Sequence, residues 1–409
     1  MKILQVNKYH YPRGGADKYF LDLTDNLRQA GHEVAVFAMT HPKNLPSPWS
    51  AYFVSNISFN QSTFSDKLKT VGRVLYSLEA KRKFKRLLND FQPEVIHLHN
   101  IYHQLSPSIL DVVRSKNIPV VMHLHDYKLV CPNHALFIKN NYCDKCRPNK
   151  YYHCLSGRCV KNSLAGSLLA ATEMYLHHSL LKIYKKNIKL FIAPSQFMKK
   201  TIISFGWSPE NIRVIYNPYS SDLNTPMAQN SKNDNYLLYF GRLSPEKGIS
   251  TLIKALAGQP YQTLIVGEGP ERDALEKLAQ TVAAPVSFLG FKEATELAPL
   301  ISGARAVIIP SIWAENMPLN LLEALSLGKT VIASNIGGLA EIIRDGENGW
   351  LFTAGDEQAL LFKIKKLDAY QKDYFYDAAQ ASVKNFRPSD NLKAVLDAYQ
   401  VVLKKNSSS

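Results

Sequence analysis

The sequence predicts an α/β protein made of two units, each a parallel sheet covered by helices. Three observations carry this. Short apolar runs alternate with stretches of helical spacing along the chain, the pattern of strands joined by crossover helices. The apolar runs are continuous, as suits strands buried on both faces. The series occurs twice, with a polar interruption between. At 409 residues the chain exceeds one ordinary domain and suits two.

The first series opens with the apolar run Met1–Val6, followed by a loop, Asn7–Gly15, rich in aromatic and glycine residues. Ala16–Ala30 has helical spacing through Tyr19, Phe20, Leu23 and Leu27, and Gly31 is a fitting stop. Val34–Met39, Val95–His99, Val120–His125 and Leu190–Pro194 continue the strands. Pro218–Asn235 is polar, rich in Asn and Ser, and reads as a linker. A second series follows: Tyr236–Phe240, Thr263–Val266, Val286–Leu289, Ala306–Pro310, Thr330–Ala333 and Trp350–Phe352. The predicted organisation is therefore a first domain over 1–217, a linker over 218–235 and a second domain over 236–385. A helix over 386–409 is expected to pack back on the first domain. Two such units leave a cleft between them, and open parallel sheets bind ligands beyond the carboxyl ends of their strands.

Charge divides the halves. Residues 1–200 carry 29 Lys and Arg against 12 Asp and Glu, a net +17. The remainder carries 20 against 22, a net −2. A basic half attracts phosphate groups, an acidic membrane surface or nucleic acid. No apolar run is long enough to span a membrane. The start, MKILQV, lacks the apolar run of a signal peptide, so the expectation is a cytoplasmic protein. Five cysteines in such a chain argue against a disulfide framework.

Three motifs of the second half fall at strand ends. Gly241 to Gly248 reads GRLSPEKG and puts Arg242 and Lys247 close together after a strand. Arg grips phosphate oxygens with a forked pair of bonds, and Lys supplies a point charge. A solvated basic turn explains the same spacing. Val266-Gly267-Glu268-Gly269-Pro270 allows a ligand to approach the backbone, as any strand-to-helix turn does. Glu315-Asn316-Met317-Pro318-Leu319 leads into a helix, with Pro318 expected at its first position. The amides of Asn316 to Leu319 then form a seat for an anion or a sugar hydroxyl. Glu315 stands ahead of that seat and Glu323 in the second turn, where a carboxylate suits a diol. An amphipathic helix with two exposed acids is the plainer account. Ser334-Asn335-Ile336-Gly337-Gly338 opens another helix, which contains Glu341.

These pieces resemble retaining glycosyltransferases of the GT-B type, most closely family 4. The matching segments are GRLSPEKG, VGEGP at 266–270, FLG at 288–290, Glu315 with seven residues before Glu323, SNIGGLAEII at 334–343 and ENGWLF at 347–352. The resemblance implies a GT-B fold, with two Rossmann-like domains facing across a cleft and the nucleotide sugar in the second. It implies that Arg242 and Lys247 hold the donor diphosphate, beside Gly267 and Glu268. Glu323 would hold the ribose. Glu315 would touch the transferred sugar, next to Asn316, Met317, Pro318 and Leu319. It further implies retention of anomeric configuration, a UDP- or GDP-sugar as substrate and no required cofactor or metal. The absence of an Asp-X-Asp motif is compatible with that.

The first half matches this family more loosely. Gly14-Gly15 resembles its glycine-rich loop near the phosphate and acceptor. His123-Leu124-His125-Asp126-Tyr127 ends a strand and resembles its active-site histidine region. His125 is the candidate to face the sugar or manage the acceptor proton, with Asp126 orienting it or reaching the acceptor. A histidine satisfied locally at a strand end is the alternative. His97 and His99 read as cleft lining. Cys143, Cys146, Cys154 and Cys159 would make either a tetrahedral zinc site or a set of reduced structural thiols.

Two basic amphipathic segments, Lys67–Arg86 and Leu168–Leu190, fit either an anionic membrane interface or a solvated face. The functional expectation is sugar transfer to a glycan or lipid-linked glycan in surface polysaccharide synthesis, peripheral to the plasma membrane. An epimerase or phosphorylase on the same fold is a second hypothesis. A nucleic-acid-binding protein is a remote third, since no such module is recognisable.

Overall fold

A computed structural model describes residues 1–56, 64–103, 105–219 and 235–407. Most of the expected linker, 220–234, lies outside them, as do the side chains of 67–69 in the first basic segment.

The first domain holds β1 (Lys2–Val6), β2 (Glu33–Phe37), β3 (Val95–Leu98), β4 (Val120–His123), a small antiparallel hairpin of β5 (Phe137–Ile138) and β6 (Asn141–Tyr142), β7 (Leu190–Ala193) and β8 (Ile212–Val214). Its sheet runs β2-β1-β3-β4-β7-β8, every pair parallel. The second domain holds β9 (Leu237–Phe240), β10 (Thr263–Val266), β11 (Val286–Gly290), β12 (Ala306–Ile309), β13 (Val331–Ser334) and β14 (Trp350–Phe352). Its sheet runs β11-β10-β9-β12-β13-β14, again wholly parallel. Strands β3, β4, β9 and β12 are buried at every residue, which explains the unbroken apolar sequences of β9 and β12 and the otherwise apolar runs of β3 and β4, interrupted only by His97 and His123. Two parallel, helix-covered sheets are the architecture the sequence predicts.

In each sheet the chain winds outward in two directions from its first strand. The reversal lies between β1 and β3 in one sheet and between β9 and β12 in the other. Adjacent loops diverge there and open a crevice at the carboxyl ends. Both candidate halves of the site sit at such a reversal.

The helix Gly15–Gln29 buries Tyr19, Phe20, Leu23 and Leu27 against the first sheet and stops at Gly31, whose φ of 81° is left-handed. The last helix, Pro388–Ser407, belongs to the first sheet's core. Its Val395, Ala398, Tyr399 and Val402 are buried with Ile3, Leu23, Val121 and Ile192. Each such apolar side chain contributes about 1.5–3 kcal/mol by leaving water. The chain thus crosses between domains twice. Glu341 adds a polar clasp: its carboxylate accepts from the amides of Gln196 and Phe197 at 3.0 Å and from the Tyr216 hydroxyl at 2.7 Å. Those amides open the helix Gln196–Ser204, so the acid caps a helix of the opposite domain.

Candidate active site

The second-domain half is assembled from loops that leave β9, β10, β12 and β13. Glycine lets them touch. At Gly267, with φ 137°, a β-carbon would fall 1.9 Å from the Gly241 carbonyl oxygen. At Gly338 it would fall 2.1 Å from the Asn316 carbonyl oxygen. No side chain fits at either place, so the GRLSPEKG, VGEGP, Glu315 and SNIGG segments form one backbone layer. In this layer Lys247 Nζ meets Glu315 Oε1 at 2.5 Å, and Ser311 Oγ donates to the same oxygen at 2.7 Å. Glu315 is 5% exposed. A carboxylate so deeply placed needs such partners to replace its lost hydration. Arg242 lies exposed at the same strand end, its carbonyl held by the Tyr239 hydroxyl at 2.8 Å. Glu268, in the loop after β10, instead pairs with Arg272, the first residue of the following helix.

The helix after Glu315 spans Leu319–Ser326, burying Leu321, Leu322, Ala324 and Leu325. Pro318 is not its first helical residue. With ψ at 125° it is extended, and it stands one position earlier, as the cap. The reason is steric: proline fixes φ near −65° but leaves ψ free, so it serves as the last extended residue as well as the first helical one. The segment from Asn316 to Leu319 still leads into the helix N-terminus, and Glu323 lies on the helix, partly covered.

The first-domain half meets this layer directly. Asn316 Nδ2 donates to the His125 carbonyl at 2.8 Å, and the Tyr127 hydroxyl donates to the Ala314 carbonyl at 3.0 Å. Gly15 faces Leu319, where a β-carbon would touch its Cδ1 at 3.4 Å. Gly14 is the extended cap of the Gly15–Gln29 helix. Asp126 accepts from the Lys128 amide at 2.8 Å. The structure therefore brings His125, Asp126, Gly15, Glu315, Asn316 and Leu319 to one junction.

His125 Nε2 lies 2.9 Å from His99 Nδ1. Desolvation pushes the His125 ring down to about pKa 3, so it is neutral at physiological pH. His97 and His99 do not line the cleft, as the sequence suggests they should. Both are fully buried beneath it, His99 against Tyr19 of the Gly15–Gln29 helix and His97 against Tyr399 of the last helix.

The zinc arrangement of Cys143, Cys146, Cys154 and Cys159 is not formed. Among the described residues no three His, Cys, Asp or Glu side chains are grouped to hold a metal ion. All five cysteines are free thiols. Cys154 and Cys159 hydrogen-bond to each other, while Cys146 and Cys154 fill the apolar core of the first domain. The spacing served packing between short turns.

Sequence patterns overlooked Ser311, Gln5, Asn7, Asp17 and Tyr399. Asn7 Nδ2 donates to Asp17 Oδ1 at 2.9 Å, fixing the loop after β1. A signal existed for Gln5: it is a polar residue inside the apolar strand KILQV.

Two family models match the chain. The model described as Glycosyltransferase Family 4 matches residues 13–223, over half of the chain. The model for glycosyl transferases group 1 matches 224–374. The chain belongs to glycosyltransferase family 4. A phosphatidyl-myo-inositol mannosyltransferase of Mycobacterium leprae is 25% identical over 425 residues, covering 100% of this chain and 98% of the relative. An O-antigen chain mannosyltransferase C of Escherichia coli is 22% identical, with full coverage of both. Among solved structures, Anabaena HepE in complex with UDP and glucose superposes with a TM-score of 0.70 at 21% identity, covering 98% of this chain and 100% of that one. That likeness establishes a GT-B fold, and this family 4 member is a glycosyltransferase of that architecture.

Proposed function

We propose that this glycosyltransferase moves a hexose from a nucleoside-diphosphate sugar to a glycan or lipid-linked glycan during surface polysaccharide synthesis, with retention and without a metal. The observation that carries the reading is the junction of Lys247, Glu315 and the Asn316–Leu319 segment against the His125 loop. Leaving-group charge on a diphosphate needs fixed positive partners in a water-poor site. Lys247 and Arg242 supply side-chain charge there, and the helix-start amides supply aligned dipoles. Gly267 and Glu268 flank the same seat.

Glu323 binds the donor ribose by accepting its hydroxyl hydrogens. Glu315 leaves Lys247 for the transferred sugar when the diphosphate draws the ammonium away. The acceptor hydroxyl, approached from Gly14, Gly15 and Asp126, attacks on the face the diphosphate leaves and gives its proton to the departing phosphate oxygen. UDP is the favoured nucleotide, because HepE is known in complex with UDP and UDP-glucose. The relatives above are by name a phosphatidyl-myo-inositol mannosyltransferase and an O-antigen chain mannosyltransferase, which supports a lipid-borne or glycan acceptor.

Attachment to an anionic membrane surface is part of the proposal. Among the described residues no helix is long and apolar enough to cross a membrane. Exposed Leu164, Leu168 and Leu180 lie near in sequence to Lys182, Lys185 and Lys186, a combination suited to an interfacial face.

A thermal-shift series with UDP, GDP, ADP and CDP tests the donor site. A nucleotide at one hundred times its dissociation constant adds about 2.7 kcal/mol of stability. A rise with one nucleotide supports the site and names the base. No rise with any of them sinks the donor assignment. Product analysis without acceptor separates transfer from epimerisation.

A further inference from the structure

A layer of buried polar side chains runs beneath His125, and none of the roles above uses it. The chain reads His-X-His where it leaves β3 and β4, at His97/His99 and His123/His125. Residues two apart on a strand share a face. The register His97↔Val121 therefore puts all four imidazoles on one face, and Gln5↔His97 adds the Gln5 amide. The rings stack: His99 and His125 centroids are 5.2 Å apart at 18°, and His123 and His125 are 4.5 Å apart at 7°. His97, His99 and Gln5 have no exposure. A polar layer at such depth is costly unless its members satisfy one another.

His125, His99, Gln5, Tyr399 and His97 Nδ1 do so in a chain, while both His123 ring nitrogens and His97 Nε2 have no hydrogen-bond partner among the described residues. His125 Nε2 meets His99 Nδ1 at 2.9 Å, and His99 Nε2 meets Gln5 Oε1 at 2.8 Å. Gln5 Nε2 donates to the Tyr399 hydroxyl at 3.1 Å, and that hydroxyl meets His97 Nδ1 at 2.7 Å. We propose that His99 is a positioning residue of the active site, fixing the ring and the proton of His125 through a relay that ends on Tyr399 of the last helix. The inference rests on the reading of His125 as a group that faces the transferred sugar.

The amide sets the polarity. Gln5 gives its NH₂ to Tyr399, so its oxygen accepts and His99 carries its proton on Nε2. His99 Nδ1 then accepts, which requires His125 to carry its proton on Nε2. The bare atom of His125 is Nδ1, an acceptor for a sugar or acceptor hydroxyl and not a donor to it. A second proton on His99 would set donor against donor, and burial already holds these rings neutral. Tyr399 belongs to the helix that follows the second domain in the chain. Docking of that helix therefore completes the relay.

Two measurements test this. In ¹⁵N-histidine NMR at pH 7, with resonances assigned through single His→Gln variants, His99 and His125 should both be neutral and protonated on Nε2. A proton on Nδ1 of His125, or a charged ring, overturns the relay. Tyr399→Phe removes only the hydroxyl. It should mix the tautomers of His99 and His125 and lower kcat roughly three- to tenfold, with KM for the nucleotide sugar within about twofold and the UDP thermal shift unchanged. His99→Gln, which keeps an acceptor for His125, should retain about tenfold more activity than His99→Leu at equal Tm. Equal activities in those two variants, or unchanged tautomers in Tyr399→Phe, overturn it. If the wild type transfers sugar from no nucleotide sugar, the functional reading fails, and the tautomers alone decide the relay.

Discussion

The two domains share a sheet architecture but solve the electrostatics of the cleft differently. All twelve histidines precede residue 217, and the second domain has none. The second domain uses permanent charges and backbone: Lys247 on Glu315, exposed Arg242, and loops pressed together at glycine. The first uses neutral rings in a buried layer beneath His125. Charge placed on loops acts at the carboxyl ends of the strands. Neutral imidazoles give fixed hydrogen bonds, at the expense of sensitivity to acid.

That contrast can be broken most forcefully by acid. His97 and His125 are held near pKa 3 by desolvation, and His99 and His123 well below their ordinary value of 6.5. The unfolded chain takes up protons below pH 6.5 and the folded chain does not. The stability these rings contribute is complete above 6.5 and is lost as pH falls from there toward 3, by about 1.4 kcal/mol per ring and pH unit. Thermal unfolding followed from pH 7 to 4 should show the loss, and His97→Phe should reduce its slope. A flat profile would mean that the rings are not buried neutral.

The next effect belongs to the second domain. Lys247→Ala should lower kcat by about a hundredfold or more, as the loss of one transition-state charge does. Unaltered turnover would move the diphosphate elsewhere. Gly267→Ala should cost on the order of 2–4 kcal/mol, because its β-carbon meets the Gly241 carbonyl in a left-handed backbone. Denaturant unfolding measures it, and a neutral result would mean that the two loops separate easily.

Glu323→Ala should weaken UDP binding by roughly tenfold, with Tm unchanged, since it removes one hydrogen-bonding carboxylate from a partly covered position. Calorimetric titration reads it, and an unfolded variant would contradict the assignment of that helix position. The smallest expected change comes from Asn316→Ala, which removes one bond between the domains, worth about 1 kcal/mol. It should raise KM for the donor more than it lowers kcat. A pure kcat effect would place Asn316 on the reacting sugar instead of the domain junction.

The second-domain site was legible because its chemistry is local in sequence. A loop that presents charge at a strand end needs glycine, proline and the charged residue within a few positions, so GRLSPEKG and the Glu315–Glu323 spacing carry their own context. Even there the convergence of Lys247 and Ser311 on Glu315 was not readable, since the loops after β9 and β12 must come together before it exists. The cysteines were not legible in the same way. Their spacing suits either a metal site or reduced thiols, and it took the fold to place Cys146 and Cys154 in the apolar core, with no metal-holding group formed among the described residues.

The sequence by itself determined the two parallel sheets, their strand order in the chain, the loops at their carboxyl ends and the family. Apolar periodicity and turn chemistry are short-range and survive without a fold. Tertiary structure decided what lies under those loops. Gln5, His99 and Tyr399 are 394 positions apart at the extremes, yet they form one hydrogen-bonded line. Only sheet register and the return of the last helix bring them together. A buried polar group has no preference of its own until its partners are in place, and for that physical reason the strand pattern could not disclose it.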